Sequence, residues 1–311
     1  MTDRTSYSFA RRFLIYQKER FPFMKNGLVI AVFTFSAISY SILSRGAEGF
    51  IPLSDYLIAV FETVSFFFLV RLFDEEKDKE DDAKYRPYLP VPRGLIRLKE
   101  LRFISVVVIV LQILVIILFQ PGMIFLHFLI LGFLLLMRFE FFVPDWLRKR
   151  QMAYITSHML IIPLIDLYAS GLDWKLSEEG FHTGLIWFFA VSYFNGLTLE
   201  FGRKIRTKDS EEEGVVSYTA LFGLRGGPAV WAASMFTTLI MAIGASLFAG
   251  FDILSVILLI IFYIGCVLPG LLFIKAPTTR RAKYIESSSA LWTLFMYLIL
   301  GATPMIKQLL F

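Results

Sequence analysis

The chain has 311 residues, of which 57% are hydrophobic, 16% aromatic and only 18% charged, with a net charge of +5. A soluble domain carries about 25% charged residues, and a globule of this size lacks the polar surface to cover so much apolar material. Soluble, disordered, collagenous and disulfide-rich classes are therefore excluded, the last because Cys266 is the single cysteine.

Long apolar runs occupy residues 26–44, 51–73, 101–119, 121–142, 151–170, 181–200, 228–249, 252–274 and 288–306. Each reaches or approaches the ~20 residues that cross ~30 Å of hydrocarbon. The expectation is an all-α polytopic membrane protein with nine transmembrane helices. The runs show no period-2 alternation, which disfavours a β-barrel. The first run starts too late to be a cleaved signal peptide. Pro163 is a candidate break inside the fifth run.

Lys and Arg divide 28 to 3 between the two sets of connections. The rich set takes residues 1–25 (Arg4, Arg11, Arg12, Lys18, Arg20 and Lys25), 71–102, 138–150, 203–225 and 275–284. The poor set holds Arg45, Lys175 and Lys307. The positive-inside rule then predicts a cytoplasmic N-terminus and an outer C-terminus. The net positive charge is mostly a topology signal, and no nucleic-acid partner is implied. The outer connections near 46–50, 120–122 and 171–180 are too short for a receptor domain. Residues 1–311 read as one transmembrane domain with two longer cytoplasmic loops, about 74–100 and 201–227.

The first loop reads RLFDEEKDKEDDAKYRPYLPVPRGLIRLKE from residue 71. Seven of the nine residues 74–82 are acidic. Asp74, Asp78 and Asp82 are spaced by four and share one face if the second helix continues past the membrane edge. Like charges at that spacing repel by about 0.2–0.5 kcal/mol per pair. A bridging divalent cation removes this cost, and Mg²⁺ favours carboxylate oxygen, water and substrate phosphate. The bland alternative is a solvated helix cap, partly neutralised by Lys77 and Lys79. Pro87, Pro90 and Pro92 order an extended connection. Arg86 and Arg93 are then available for phosphate oxygens or for positive-inside anchoring.

In the second loop, Asn195 and Glu200 lie on the last turns of the sixth helix, before Arg203, Lys204 and Arg206. Asp209 and the acids at 211–213 follow. Glu200 and Lys204 are in the favourable order for a helical pair. The functional alternative makes Glu200 a second metal carboxylate and Arg203 or Lys204 a diphosphate ligand. Asp209 and Glu213 are further metal candidates, and Gly214 and Gly223 look like turn positions.

Two acidic, base-flanked sites suggest carboxylates clamping Mg²⁺ ions that hold a diphosphate whose apolar tail enters the helices. Metal and basic groups would stabilise the leaving oxygens as the C–O bond ionises. The resulting allyl cation needs a dry, aromatic-lined chamber. Tyr193, Phe194, Phe141, Phe142, Tyr154 and Trp146 are candidates, with ordinary packing as the alternative. Asn26 opens the first helix. Lys149 and Arg150 reach for phosphate or anchor the fourth connection. His158 is an intramembrane ionisable residue and so a pocket candidate. No HExxH, CxxC, GxGxxG, Walker or nucleophile-elbow pattern is present, so nothing points to zinc, a dinucleotide or a catalytic cysteine.

On these residues the chain resembles the UbiA-type intramembrane prenyltransferase superfamily over most of residues 10–305. The family's first motif is NDxxDxxxD, followed by an Arg-Pro segment ending in Gly. The matching positions are Val70, Arg71, Asp74 and Asp78, then Arg86 and Pro87 through Gly94. The two later aspartates are kept, Val70 and Arg71 replace the Asn and first Asp, and Asp82 extends the series by one turn. For the second, DxxxD-type motif the nearest acids are Glu200, Asp209 and Glu213, with Gly214 and Ser217 after them. Arg203, Lys204 and Lys149 look like the family's diphosphate contacts.

The resemblance implies nine helices around a central cavity, Mg²⁺ as cofactor and an isoprenyl diphosphate donor. It also implies an aromatic or lipid acceptor, a bilayer setting such as the bacterial inner membrane, and no obligatory protein partner. The expected site has Asp74, Asp78, Glu200 and Lys204 as catalytic residues. Arg71, Arg86, Lys149, Arg203 and Lys204 take the diphosphate. Asp74, Asp78, Asp82, Glu200, Asp209 and Glu213 take the metal, and Asn26, Tyr154, His158 and Asn195 line the pocket. Two alternatives stay open. One is a UbiA-type terpene cyclase, with Arg71 as a fixed cation in place of a ligand. The other is a non-catalytic cation-binding transporter, disfavoured because its polar groups would sit near mid-membrane.

Overall fold

The computed structural model describes residues 7–308, so Arg4 of the basic N-terminal segment lies outside the described residues. Among the described residues the secondary structure is entirely helical. Nine segments are long and apolar enough to cross a membrane: Phe23–Ser44, Leu53–Lys77, Leu98–Phe119, Pro121–Arg138, Gln151–Trp174, Gly184–Arg203, Tyr218–Phe248, Ile253–Lys275 and Thr279–Lys307. These match the nine apolar runs. In hydrocarbon an isolated segment satisfies its backbone only as a helix.

The helices are α1 (Phe9–Arg20), α2 (Phe23–Ser44), α3 (Leu53–Lys77), α4 (Lys79–Tyr85), α5 (Leu98–Phe119), α6 (Ile124–Arg138) and α7 (Pro144–Arg148). They continue as α8 (Gln151–His158), α9 (Ile161–Trp174), α10 (Gly184–Arg203), α11 (Tyr218–Phe248), α12 (Ile253–Lys275), α13 (Thr279–Tyr297) and α14 (Thr303–Lys307). The fifth span breaks between α8 and α9, which leaves Pro163 in the first turn of α9, where a proline neither loses a helical hydrogen bond nor meets a carbonyl four residues back within the helix. The seventh begins ten residues earlier than its apolar run. Ser217 caps α11 by accepting from the Ala220 amide at 3.0 Å, and Gly223 interrupts it at φ 78°.

The chain divides into two compact units, residues 1–31 with 53–151 and residues 32–52 with 152–311. In the first unit α3 packs on α5 and α6. Helix α1 is tied to the start of α5 by a bidentate pair, Arg12 to Glu100 at 2.7 and 2.9 Å, and Arg12 also donates to the Leu95 carbonyl at 3.1 Å. Arg20 reaches the buried Glu75 at 2.5 Å.

In the second unit α10 packs on α9, α11 and α13, and α12 packs on α11 and α13. Without a hydrophobic drive between helices in lipid, close packing and interhelical hydrogen bonds hold such a bundle. Trp231 Nε1 donates to Ser289 Oγ at 2.8 Å, and Tyr40 donates to the Ala245 carbonyl at 3.1 Å. A Cβ at Gly301 would overlap the Ser36 backbone. At one end of this unit Asp173 accepts from Arg45 at 2.8 and 3.1 Å and from Ser41 Oγ at 2.7 Å.

Candidate functional site

Helix α3 outlasts its apolar run and carries Asp74, Glu75 and Glu76 inside the helix. Backbone bonds then run from Asp78 to Asp74 at 2.8 Å, Asp82 to Asp78 at 2.8 Å and Arg86 to Asp82 at 2.9 Å. These i→i−4 bonds bridge the α3–α4 junction, where Asp78 leaves helical geometry at ψ 5°. The acids persist there because cations surround them. Arg71 contacts Asp74 at 3.4 Å and Glu75 at 3.7 Å, Lys77 contacts Asp74 at 3.3 Å, and Arg86 holds the buried Asp82 at 2.5 Å. Glu76 is paired with both Arg102 and Arg138.

Burial pushes the Asp78 carboxyl up to about 6. Lys77 and Arg71 oppose this rise, and the Asp74 and Asp82 carboxylates add to it. A further positive charge placed here would relieve that repulsion, and hard carboxylate oxygens are the donors Mg²⁺ takes. The donor type therefore fits a hard divalent cation. Among the described residues, however, no three His, Cys, Asp or Glu side chains converge into a metal-holding group.

In the second unit, Glu200 is nearly buried on the last turn of α10 and is paired with Arg203 and, at 2.7 Å, with Lys204. The loop that follows closes on itself, because the Tyr218 amide donates to the Lys204 carbonyl at 3.0 Å. Its interior acid is Glu211, which accepts from Ser217 Oγ at 2.5 Å and Thr219 Oγ1 at 3.4 Å. Asp209 and Glu213 are exposed. Gly214 takes φ 76°, as a turn glycine does.

The remaining expected residues belong to both units, Asn26 and Lys149 to the first and Tyr154, His158 and Asn195 to the second. Lys149 is exposed at the end of α7, and Asn26 is half-buried in the first turn of α2. The segment before α7 is strained, with φ of 47°, 52° and 61° at Glu140, Phe141 and Phe142. Trp146 is exposed under the Arg150 guanidinium at 4.7 Å. Tyr154 stacks on His158 at 4.0 Å, and His158 Nδ1 donates to the Tyr154 carbonyl at 2.8 Å. Asn195 is fully buried in α10.

Sequence reasoning passed over Glu62 and His127. They are fully buried 3.4 Å apart in the first unit, with Gln112 donating to the Glu62 carbonyl at 3.3 Å. The available signal was an ionisable residue inside each of two apolar runs.

No family model matches the chain, and no curated protein matches it. Solved structures do. One, from work on digeranylgeranylglyceryl phosphate synthase in membranes, aligns with a TM-score of 0.63 at 17% identity. It covers 94% of this chain and 99% of that one. Another, the apo structure of a UbiA homolog from Aeropyrum pernix K1, aligns with a TM-score of 0.64 at 14% identity. It covers 90% of this chain and 97% of that one. At such identities the likeness is one of fold: the chain has the UbiA-type membrane fold.

Proposed function

We propose that the chain is an Mg²⁺-dependent intramembrane prenyltransferase that ionises an isoprenyl diphosphate and transfers the prenyl group to an aromatic or lipid acceptor. The observation that carries the proposal is the acidic ladder Asp74–Asp78–Asp82 leaving the second span of a UbiA-type fold, each end of it held by basic side chains. Residues 1–311 act as one transmembrane domain, with the N-terminus cytoplasmic, in a cell membrane such as the bacterial inner membrane.

Asp74, Asp78 and Asp82 in the first loop, and Glu200 in the second, are the proposed carboxylate ligands, with Asp209 and Glu213 as outer candidates. Bound Mg²⁺ would supply positive charge to the diphosphate leaving group. Arg71, Arg86, Lys149, Arg203 and Lys204 would take the remaining phosphate charge. Several of these cations now hold carboxylates, so substrate phosphate would exchange one anionic partner for another. Asn26, Tyr154, His158 and Asn195 would line the prenyl pocket.

The terpene cyclase is a second reading, favoured by one observation. Arg71 stands where the family motif has its first Asp, and it is paired with Asp74 and Glu75. A fixed cation there changes the donor set without removing diphosphate binding.

Purified protein given allylic diphosphates of several chain lengths with Mg²⁺ separates the readings. The acceptor panel includes an aromatic compound and a phosphate-bearing lipid, the latter supported by the likeness to the synthase structure. Diphosphate release with an acceptor adduct is the expected result. Release with a cyclic hydrocarbon or alcohol and no adduct establishes the cyclase. No release from any donor, together with cation flux in liposomes, overturns both.

A further inference from the structure

The first unit contains an open groove of about 250 Å³ between the last turns of α3, the first turns of α5 and the last turn of α6. Its walls are apolar, among them Leu101, Ile109 and Leu135. Its other lining includes one charged cluster, Glu76, Arg102 and Arg138. Both guanidiniums are engaged with the single Glu76 carboxylate, so the cluster keeps one uncompensated positive charge. Arg102 stays more than half exposed, so its guanidinium can take a further acceptor.

The setting narrows the occupant. Helix α5 turns an apolar face outward, with Phe103, Val106 and Val110 exposed. That face belongs to lipid, and the groove opens among the same turns. Lipid chains are therefore already at its walls, and the mouth lies at span ends, where headgroups sit. A fatty chain matches the walls, and one negative charge matches the excess positive charge. The N-terminal turns of α5 add further positive potential. The volume is below the about 300–1,000 Å³ of an enclosed small-molecule pocket. An open groove of this size takes part of an amphiphile and leaves the rest in the bilayer.

We propose that this groove binds one anionic phospholipid, its phosphate against Arg102 and Arg138 and the first part of one acyl chain along Leu101, Ile109 and Leu135. The proposal does not rest on the prenyl chemistry, although Arg138 also lines a small cavity with Asp74 and Lys77. None of its charged residues belongs to the proposed diphosphate set.

The test uses the full chain purified in detergent. Phosphatidylglycerol, phosphatidylcholine and inorganic phosphate are added separately, and bound molecules are counted by native mass spectrometry. Preferential retention of one phosphatidylglycerol that inorganic phosphate does not displace is expected. Arg102→Gln and Arg138→Gln each weaken retention about fivefold, which corresponds to the roughly 1 kcal/mol that a basic residue contributes at a membrane surface. Glu76→Gln strengthens retention by freeing both guanidiniums. Ile109→Trp fills the groove and abolishes retention with no change in charge. Equal retention of the two lipids overturns the proposal. So does displacement by inorganic phosphate, an unchanged Ile109→Trp, or weaker binding in Glu76→Gln. If the arginine variants fail to fold, Glu76→Gln and Ile109→Trp still decide it.

Discussion

His127 Nδ1 lies 3.4 Å from a carboxylate oxygen of Glu62, and neither side chain has any exposed surface. The contact joins α3 to α6 inside the apolar spans, with Phe66 tilted against the imidazole at 5.2 Å. Two ionisable groups survive there because each is the other's polar environment. Removing one leaves the other polar group buried without its neighbour, at about 1–3 kcal/mol, whereas replacing both with apolar residues is far less costly. Glu62→Leu and His127→Phe are each expected to lower the melting temperature in detergent sharply. The double variant should recover most of the loss. Additive losses would show that the two side chains act separately.

The acidic ladder makes the sharpest catalytic prediction. Asp74→Ala and Asp78→Ala should each lower diphosphate release by at least about a hundredfold, as loss of a group stabilising the leaving oxygens does. Membrane insertion should be unchanged. Asp209→Ala, on an exposed turn, should cost much less. Full release by either ladder variant removes the proposed metal ligands.

His182 carries a pH prediction. Burial pushes its imidazole below the usual 6.5, Arg45 pushes the same way, and Asp173 opposes them. The folded state thus binds fewer protons at this site than the unfolded state. Its contribution to stability is present above about 6.5 and is lost as pH falls through the lower folded value. Melting temperatures of wild type and His182→Gln should diverge across that window, with the wild type losing more on acidification. Parallel curves would mean that His182 titrates alike in both states.

Gly301 tests packing within the second unit. A Cβ there meets the Ser36 backbone, which cannot step aside as a side-chain tip would. Gly301→Ala is expected to cost about 1–3 kcal/mol through overpacking. Gly265→Ala meets nothing within 4 Å and should be neutral or stabilising by up to about 1 kcal/mol, since Ala is the better helix former. Unfolding of the two variants in the same detergent checks this, and equal stabilities would contradict the close approach.

The functional residues were legible to different depths. The spacing of Asp74, Asp78 and Asp82 suggested one helical face, and i→i−4 backbone bonds do link the three, but α3 ends at Lys77 and Asp78 departs from helical geometry before α4 begins. The spacing did not show that Arg71 and Lys77 hold Asp74, or that Arg86 holds Asp82 at 2.5 Å. In the second loop Glu213 drew attention by its spacing, yet Glu211 is the acid that turns inward to Ser217. Such choices depend on where a loop closes, which a local pattern does not encode.

The sequence by itself determined the nine spans, because an apolar run of sufficient length in hydrocarbon leaves the backbone no option but helix. It also marked the break before Pro163, since a missing amide and a steric clash are local facts. Only the tertiary structure decided which charges neutralise one another. Glu75 meets Arg20 from 55 positions earlier in the chain, and Glu76 meets Arg102 and Arg138 from two other helices. Periodicity tells which face of a helix a residue occupies, but a partner is fixed by which other helix packs against that face. The Glu62–His127 pair and the cationic groove at the ends of α3, α5 and α6 are products of that packing.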